Sequence, residues 1–372
     1  MKKPSVIKII HRPTLFPELS NGNSPTKRKF TFIDLFAGIG GTRIAFEKAG
    51  GECVFSSEWD SACQKTYQAN FGELPHGDIT KIDEKDITDF DILVAGFPCQ
   101  PFSSIGKRQG FMHATQGTLF YDILRVLKHK KNGLGAKAFL LENVPGLTTH
   151  DDGKTFKVIL GALEDIGYKV FHKILNGGDF GVPQQRKRIY IVGFRKDLAD
   201  DIEFQFPEGT AKKAYVCDYL EENVEGYSIS EHLQNSYLFK IDDGRPILVD
   251  KNSKVQVKTL VSTYHKIQRL TSTFVKDGPT GIRLFTANEC KAIMGFDKDF
   301  IIPVSRTQMY RQMGNSVVVP AVTAVAKAIA KKLQDIKIAG KEVENGRSKD
   351  RSEQQGRNIP ERITHGVFQK ES

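Results

Sequence analysis

The residues best suited to do chemistry in this chain stand in four short segments. Gly96-Phe-Pro-Cys-Gln-Pro-Phe-Ser103 sets one cysteine, Cys99, between prolines just after an apolar run at 91–95. A lone cysteine is ordinarily a small core hydrophobe. One held in a proline-flanked loop is a presented thiol, able as a thiolate to attack an electrophilic carbon. Glu142-Asn-Val144 closes a second apolar run, so its carboxyl can face the same crevice. Gln184-Gln-Arg-Lys-Arg-Ile-Tyr190 delivers Arg186 and Arg188 at the start of a third. A thiol, a carboxyl and two guanidinium groups can add a nucleophile to a ring and stabilise the charge that develops there. The fourth segment, Asp34-Leu-Phe-Ala-Gly-Ile-Gly-Gly41, ends in a glycine turn. Gly38, Gly40 and Gly41 let backbone approach a ligand closely, and a helix beginning there favours negative charge at its N-terminus.

That turn is G-x-G-G rather than G-x-G-x-x-G, and alone it does not separate a nicotinamide from an adenosyl cofactor. Glu58 stands where an acidic residue binds ribose hydroxyls, although a solvated glutamate would look the same. Trp59, the only tryptophan, can stack on an adenine or pack in the core. Asp78 can accept from an adenine amino group or cap a turn.

These segments need a scaffold that brings them together, and the apolar runs supply it. Residues 29–36, 52–57, 91–95, 138–141 and 188–194 read as strands, and 42–49, 61–70 and 119–129 as helices. Strands alternating with helices predict an α/β fold with a mostly parallel, doubly wound sheet. Ligands bind such a sheet beyond the carboxyl ends of its strands, which is where the glycine turn, Cys99 and Glu142 fall. The rhythm stops near Phe194, and an Ala/Val-rich helix returns at 317–333. The pattern predicts a discontinuous large domain, 30–199 with 305–334, and a smaller insert at 200–285. A hinge is expected at 286–304, a flexible basic arm at 1–29, and a polar, poorly ordered tail at 335–372.

Composition narrows the function class. The net charge of +10 and pI near 9.2 favour a polyanionic partner. Five scattered cysteines without a CxxC pair support neither a disulfide framework nor a zinc site, so no metal is expected. No run of eighteen apolar residues predicts a membrane span, and no signal peptide is visible, so a cytoplasmic, DNA-associated protein is expected. Within the insert, Asp218, Glu221, Glu222, Glu225 and Glu231 make one stretch acidic. Residues 251–276 hold six basic residues and no acidic one: Lys251, Lys254, Lys258, Lys266, Arg269 and Lys276. Lysines there suit phosphates, and Gln256, Gln268 and Arg269 suit base edges, although a solvated face has the same composition. Residues 102–116, with Ser103, Lys107 and Arg108, suit a loop that closes over a nucleic acid.

Taken together, seven ordered segments carry a resemblance: Asp34-Leu-Phe-Ala-Gly-Ile-Gly-Gly41, Glu58-Trp59, Gly77-Asp78, Pro98-Cys-Gln100, Glu142-Asn-Val144, Gln185-Arg-Lys-Arg188 and Gly314-Asn-Ser-Val-Val318. Over about residues 30–333 the chain resembles the DNA cytosine-C5 methyltransferases of bacterial or phage restriction-modification type. The resemblance implies a Rossmann-like, S-adenosyl-L-methionine-dependent methyltransferase fold, with the insert as target-recognition domain. It implies Phe36, Gly38, Gly40, Gly41, Glu58, Trp59, Asp78, Ile79, Pro98, Asn315 and Val317 around the cofactor. Cys99, Glu142, Arg186 and Arg188 would surround a flipped cytosine, with Cys99 attacking its C6. Gln100, Ser103, Lys107, Arg108, Lys258, Lys266, Gln268 and Arg269 would meet double-stranded DNA. A monomer is expected, paired in function with a restriction endonuclease. Four rivals fit less well, one of them an NAD-linked oxidoreductase, which would leave the Cys99, Glu142 and Arg188 arrangement unexplained. A nucleobase deaminase lacks its HxE and has Phe102 where a second cysteine would stand. An RNA cytosine methyltransferase would not need the full basic insert, and a DNA-binding repressor would not need the catalytic segments.

Overall fold

A computed structural model describes residues 30–97, 119–131, 136–199, 201–210 and 212–356. The expectations for Pro98, Cys99, Gln100, Ser103, Lys107, Arg108, the arm and the last residues of the tail lie outside the described residues. The chain divides into two compact units, Met1–Ala330 and Lys331–Ser372.

Buried apolar runs make the strands of the first unit, and amphipathic segments make its helices. In chain order these are β1 (Phe30–Leu35), α1 (Gly41–Lys48), β2 (Gly51–Ser57), α2 (Ser61–Phe71), β3 (Ile92–Gly96), α3 (Leu119–Lys131), β4 (Ala138–Asn143), α4 (Lys154–Asp165), β5 (Tyr168–Asn176) and β6 (Lys187–Arg195). One six-stranded sheet has the order β2-β1-β3-β4-β6-β5. β1 pairs in parallel with β2 and β3, and β3 with β4, whereas β6 runs antiparallel to both β4 and β5. The sheet is thus mostly parallel, as predicted, with β6 as its one reversed strand.

Alternate strand residues face opposite sides. Ile33, Leu35, Leu93, Phe139, Leu141, Ile189 and Ile191 share one core cluster with Ile123 and Leu127 of α3 and Ile159 and Leu163 of α4. Phe32 points the other way and meets Phe46 of α1, ring centroids 5.3 Å apart. Strands β1, β3 and β4 are almost wholly buried, which is why each reads as a mainly apolar run, interrupted in β1 by Thr31 and Asp34 and closed in β4 by Glu142 and Asn143. β5 occupies the sheet edge and exposes His172, Lys173 and Ile174, so its sequence carries no such run.

Beyond β6 the regular elements are short: α5 (Glu231–Leu233) and the parallel pair β7 (Ile247–Val249) and β8 (Thr273–Val275). Polar and aromatic packing stands in for a large sheet. Arg283, fully buried, pairs with Glu289 at 2.8 Å and Asp277 at 2.8 Å and donates to Glu221 O at 2.7 Å. Tyr264 stacks near Phe274, Phe285 and Tyr310. The stretch read as a hinge holds α6 (Ala287–Met294), which begins in a Thr286/Glu289 capping box. Glu289 therefore caps its helix and neutralises Arg283 with one carboxylate. α7 (Arg306–Asn315) and α8 (Val319–Gly356) follow. The helix expected to end near Leu333 runs on to Gly356, through the mixed-charge stretch. Among the described residues the helical stretch Arg306–Ala339 is long and apolar enough to cross a membrane, and 56% of that apolar window is buried inside the protein. That is the mark of a core helix.

Candidate active site

The parallel strands end on one edge of the sheet, and reversed β6 begins there. That edge therefore collects the turn after β1, Glu58-Trp59 after β2, the chain leading to Cys99 after β3, Glu142 near the end of β4 and Arg188 near the start of β6.

On the cofactor side, the chain leaves β1 through Phe36 at φ 57° and Gly38 at φ 57°, and Gly40 at φ 86° caps α1. Phe36 is not glycine, so its left-handed backbone is a strained conformation held by its surroundings. Glu58 locks the turn: one carboxylate oxygen accepts from Gly38 N at 2.8 Å and the other from Asp60 N at 2.7 Å. Burial raises the Glu58 carboxyl, and the hydrogen bonds from Asp60 and Gly38 oppose the shift. Each oxygen keeps a lone pair for a further donor. Trp59 is 77% exposed, which rules out core packing and leaves its ring open. Asp78 caps a turn, accepting from Thr80 N at 3.0 Å and Thr80 Oγ1 at 2.8 Å, and Ile79 beside it is buried. Gly41 packs so tightly on Ser316 and Val317 that a Cβ there would lie 2.9 Å from Ser316 Oγ. Asn315 is thereby brought next to the glycine turn, with its side chain exposed.

On the reacting side, Glu142 pairs in register with Gly96, three residues before Cys99 in the chain. Arg188 Nε lies 3.1 Å from Glu142 Oε1. Burial raises the Glu142 carboxyl, and Arg188 and then Arg186 pull it back. Burial thus favours the protonated form of this carboxyl, and the two arginines favour the carboxylate. Asn143, to which sequence reading gave no role, donates to Phe97 O at 3.0 Å and so ties β4 to the start of the Cys99 segment. Gln184 was also passed over. Fully buried, it donates to Ile293 O at 3.1 Å and accepts from Leu260 N at 2.6 Å. Its place beside the Gln185-Arg-Lys-Arg188 segment was the available signal.

Several expected residues have other employment. Arg186 is buried and donates to Leu260 O at 3.0 Å, Gly314 O at 2.9 Å and Ser316 O at 2.7 Å. Burial and then Arg188 push its guanidinium down to about 9, so it stays a cation at neutral pH. It is a positioning residue, with only Nε lacking a partner among the described residues. Arg269, expected to read bases, must be corrected. Its guanidinium donates to Leu238 O at 2.8 Å and Ile241 O at 2.7 Å, and pairs with Asp243. With 7% exposure and four of its five N–H donors taken up inside the loop, it is held away from DNA. Gln256 is likewise taken up, donating to Gly178 O at 2.7 Å. Gln268 accepts from Thr271 Oγ1 at 3.0 Å, Lys258 donates to Leu270 O at 3.0 Å, and Lys266 is exposed.

Fold and site together define a methyltransferase of the S-adenosylmethionine-dependent α/β class. Solved structures of this architecture include DNMT2 of Spodoptera frugiperda, 23% identical with TM-score 0.65, covering 82% of this chain and 99% of that one. Dnmt2 of S. pombe is similar, at 24% identity and TM-score 0.64 with the same coverage. A family model for C-5 cytosine-specific DNA methylases matches residues 30–331, and the chain belongs to that family as a DNA cytosine-5-methyltransferase. Among curated relatives, the Type II methyltransferase M.MspI of Moraxella sp is 62% identical over 82% of this chain and 72% of its own length. M.BsuFI of Bacillus subtilis is 54% identical over 90% and 81%. Family and fold imply S-adenosylmethionine, and the family implies DNA as substrate.

Proposed function

We propose that this protein transfers a methyl group from S-adenosylmethionine to C5 of a flipped cytosine at a specific site in double-stranded DNA. The observation that carries this reading is the Glu142–Arg188 pair, set on the same sheet edge as Glu58 and the open Trp59 ring and tied through Asn143 to the Cys99 segment. The residues fit the cofactor: Trp59 offers a stacking face, Glu58 keeps lone pairs for ribose hydroxyls, and Asp78 keeps Oδ2 for a donor. Bound there, the cofactor supplies an electrophilic methyl group.

Cytosine C5 is a poor nucleophile. Attack of the Cys99 thiolate on C6 breaks the ring's aromaticity and makes C5 an enamine carbon. Glu142, in its protonated form, donates to N3 as charge develops, while Arg188 orients Glu142 and faces the base oxygen. Once C5 carries the methyl group, loss of its proton to water, expulsion of the thiolate and return of the N3 proton to Glu142 restore aromaticity and the enzyme. A stacked duplex hides C6, so the base must leave the helix first. The named relatives are Type II methyltransferases, which supports a modification role beside a restriction endonuclease. Duplex DNA with 5-fluorocytosine at the target should trap wild type covalently, because fluorine blocks the last elimination. Cys99→Ser should bind cofactor yet form no adduct. An adduct with that variant, or one mapped to another cysteine, would overturn the mechanism.

A further inference from the structure

The four bonds of Arg269 have a consequence at the surface. They fold residues 237–243 around one buried guanidinium, and Arg269 N lies 3.4 Å from Tyr237 Oη. The outer side of this fold carries large apolar side chains with little cover: Ile241 is 60% exposed, Leu270 54%, Tyr237 45% and Phe239 41%. A wide helical turn, Gln234–Leu238, leads into it, and Phe239 N closes that turn on Gln234 O at 2.9 Å. Apolar side chains grouped in this way on one surface mark a place that something covers.

Charge and connectivity say what covers it. Lys240, Arg245 and Lys266 are exposed around the patch, and Lys258 lies beneath Leu270. Asp243 is neutralised by Arg269, which among the described residues leaves Asp242 as the one acid of the loop without an ion pair and the rim positive. The patch also connects to the reacting edge. Lys258 holds Leu270 O, the next residue Thr259 donates to Gln185 O at 2.7 Å, and Leu260 O takes Arg186. A positive rim around an apolar centre fits a duplex: phosphates meet the cations, while thymine methyls and opened base steps meet apolar side chains.

We propose that the 237–243 loop with Leu270 is the surface that lies against base edges or an opened base step beside the target cytosine, and that Arg269 is the positioning residue that keeps it in shape. The proposal rests on the DNA-methylating reading above and adds which part of the insert reads. It replaces an expected charged reader by an apolar one.

The test uses the full chain, S-adenosylhomocysteine and duplexes with or without the methylated site. Phe239→Ser with Ile241→Ser changes two exposed side chains and should leave the unfolding midpoint unchanged. It should weaken binding to the site duplex on the order of tenfold to a hundredfold, the worth of one or two buried apolar side chains. The slope of log K against log salt should stay as in wild type, since no phosphate contact is lost, whereas Lys240→Ala should flatten it. Arg269→Ala should raise KM for DNA and lower site fidelity with kcat at saturating DNA nearly kept. Leu74→Ser, equally exposed but outside the insert, should do nothing. Wild-type affinity and fidelity in the Phe239/Ile241 double variant would overturn the proposal. So would a patch variant that loses only self-association in sedimentation, because the occupant would then be a second copy. A wild type that binds the site but methylates nothing would instead sink the function proposed above and leave this surface standing.

Discussion

Asp34 and Glu142 are both carboxyl groups raised by desolvation, and each has a cation pulling against the shift, Arg43 for Asp34 and Arg188 for Glu142. Asp34 is fully buried, accepts from Thr42 Oγ1 at 2.6 Å through one oxygen, and has no partner for the other among the described residues. Its carboxyl is pushed from 3.8 up to about 7, chiefly by burial and against the pull of Thr42 and Arg43. Between those values the folded protein keeps a proton that the unfolded chain has released. Stability from this group therefore falls as pH rises through that window and levels off above about 7. Asp34→Asn mimics the protonated form and should remove this slope, gaining on wild type at pH 8 relative to pH 5. Urea midpoints at the two pH values check it, and parallel curves would mean that Asp34 is already ionised in the fold. Arg269 carries the opposite lesson at the same scale. An arginine in a basic stretch suggested a reader, yet sequence does not say which guanidinium finds four acceptors at home.

Elements were legible where burial dictated composition. β1, β3 and β4 lie between two layers and read as apolar runs, and the glycine turn announced the start of α1. β5 was not legible, because an edge strand mixes polar and apolar residues without filling a core, whereas α4 carried an unread signal, Phe156, Ile159, Ala162 and Leu163 at helical spacing. Trp59 was ambiguous for a related reason: an aromatic ring fits a core and a ligand equally, and only its exposure decides. The turn into α1 yields a prediction at this scale. Gly40 sits at φ 86°, and a Cβ there would lie 2.2 Å from the Phe71 ring. Gly40→Ala should thus cost at least about 1 kcal/mol from backbone conformation alone, and more from the displaced ring. It should also weaken S-adenosylhomocysteine binding in calorimetry, since the same turn carries Gly38 to Glu58. An unchanged unfolding midpoint would show that the turn relaxes freely.

At the scale of the whole molecule, the segment leading into β6 and residues 255–262 meet along one seam, where the proposed chemistry and the proposed reading would join. Gln184, Gln185 and Arg186 hold Leu260 and Thr259 of the insert. Replacing residues 200–285 by a relative's insert while keeping the 255–262 contacts should move the methylated sequence and preserve adduct formation. Bisulfite sequencing of host DNA reads the outcome, and methylation at the original site by a folded chimera would place recognition elsewhere. The seam has a thermodynamic side as well. Arg186 grips Leu260 of the insert and, with the same guanidinium, Gly314 and Ser316 on either side of Asn315 beside the glycine turn. Whatever steadies one grip steadies the other, so DNA and cofactor should each tighten the other's binding by the same factor. Coupling between distant ligands typically amounts to about 5- to 150-fold. Arg186→Met should collapse that factor toward one in a four-way binding cycle, even where each ligand still binds alone. In this protein the cofactor would then act as an allosteric partner of the DNA sequence.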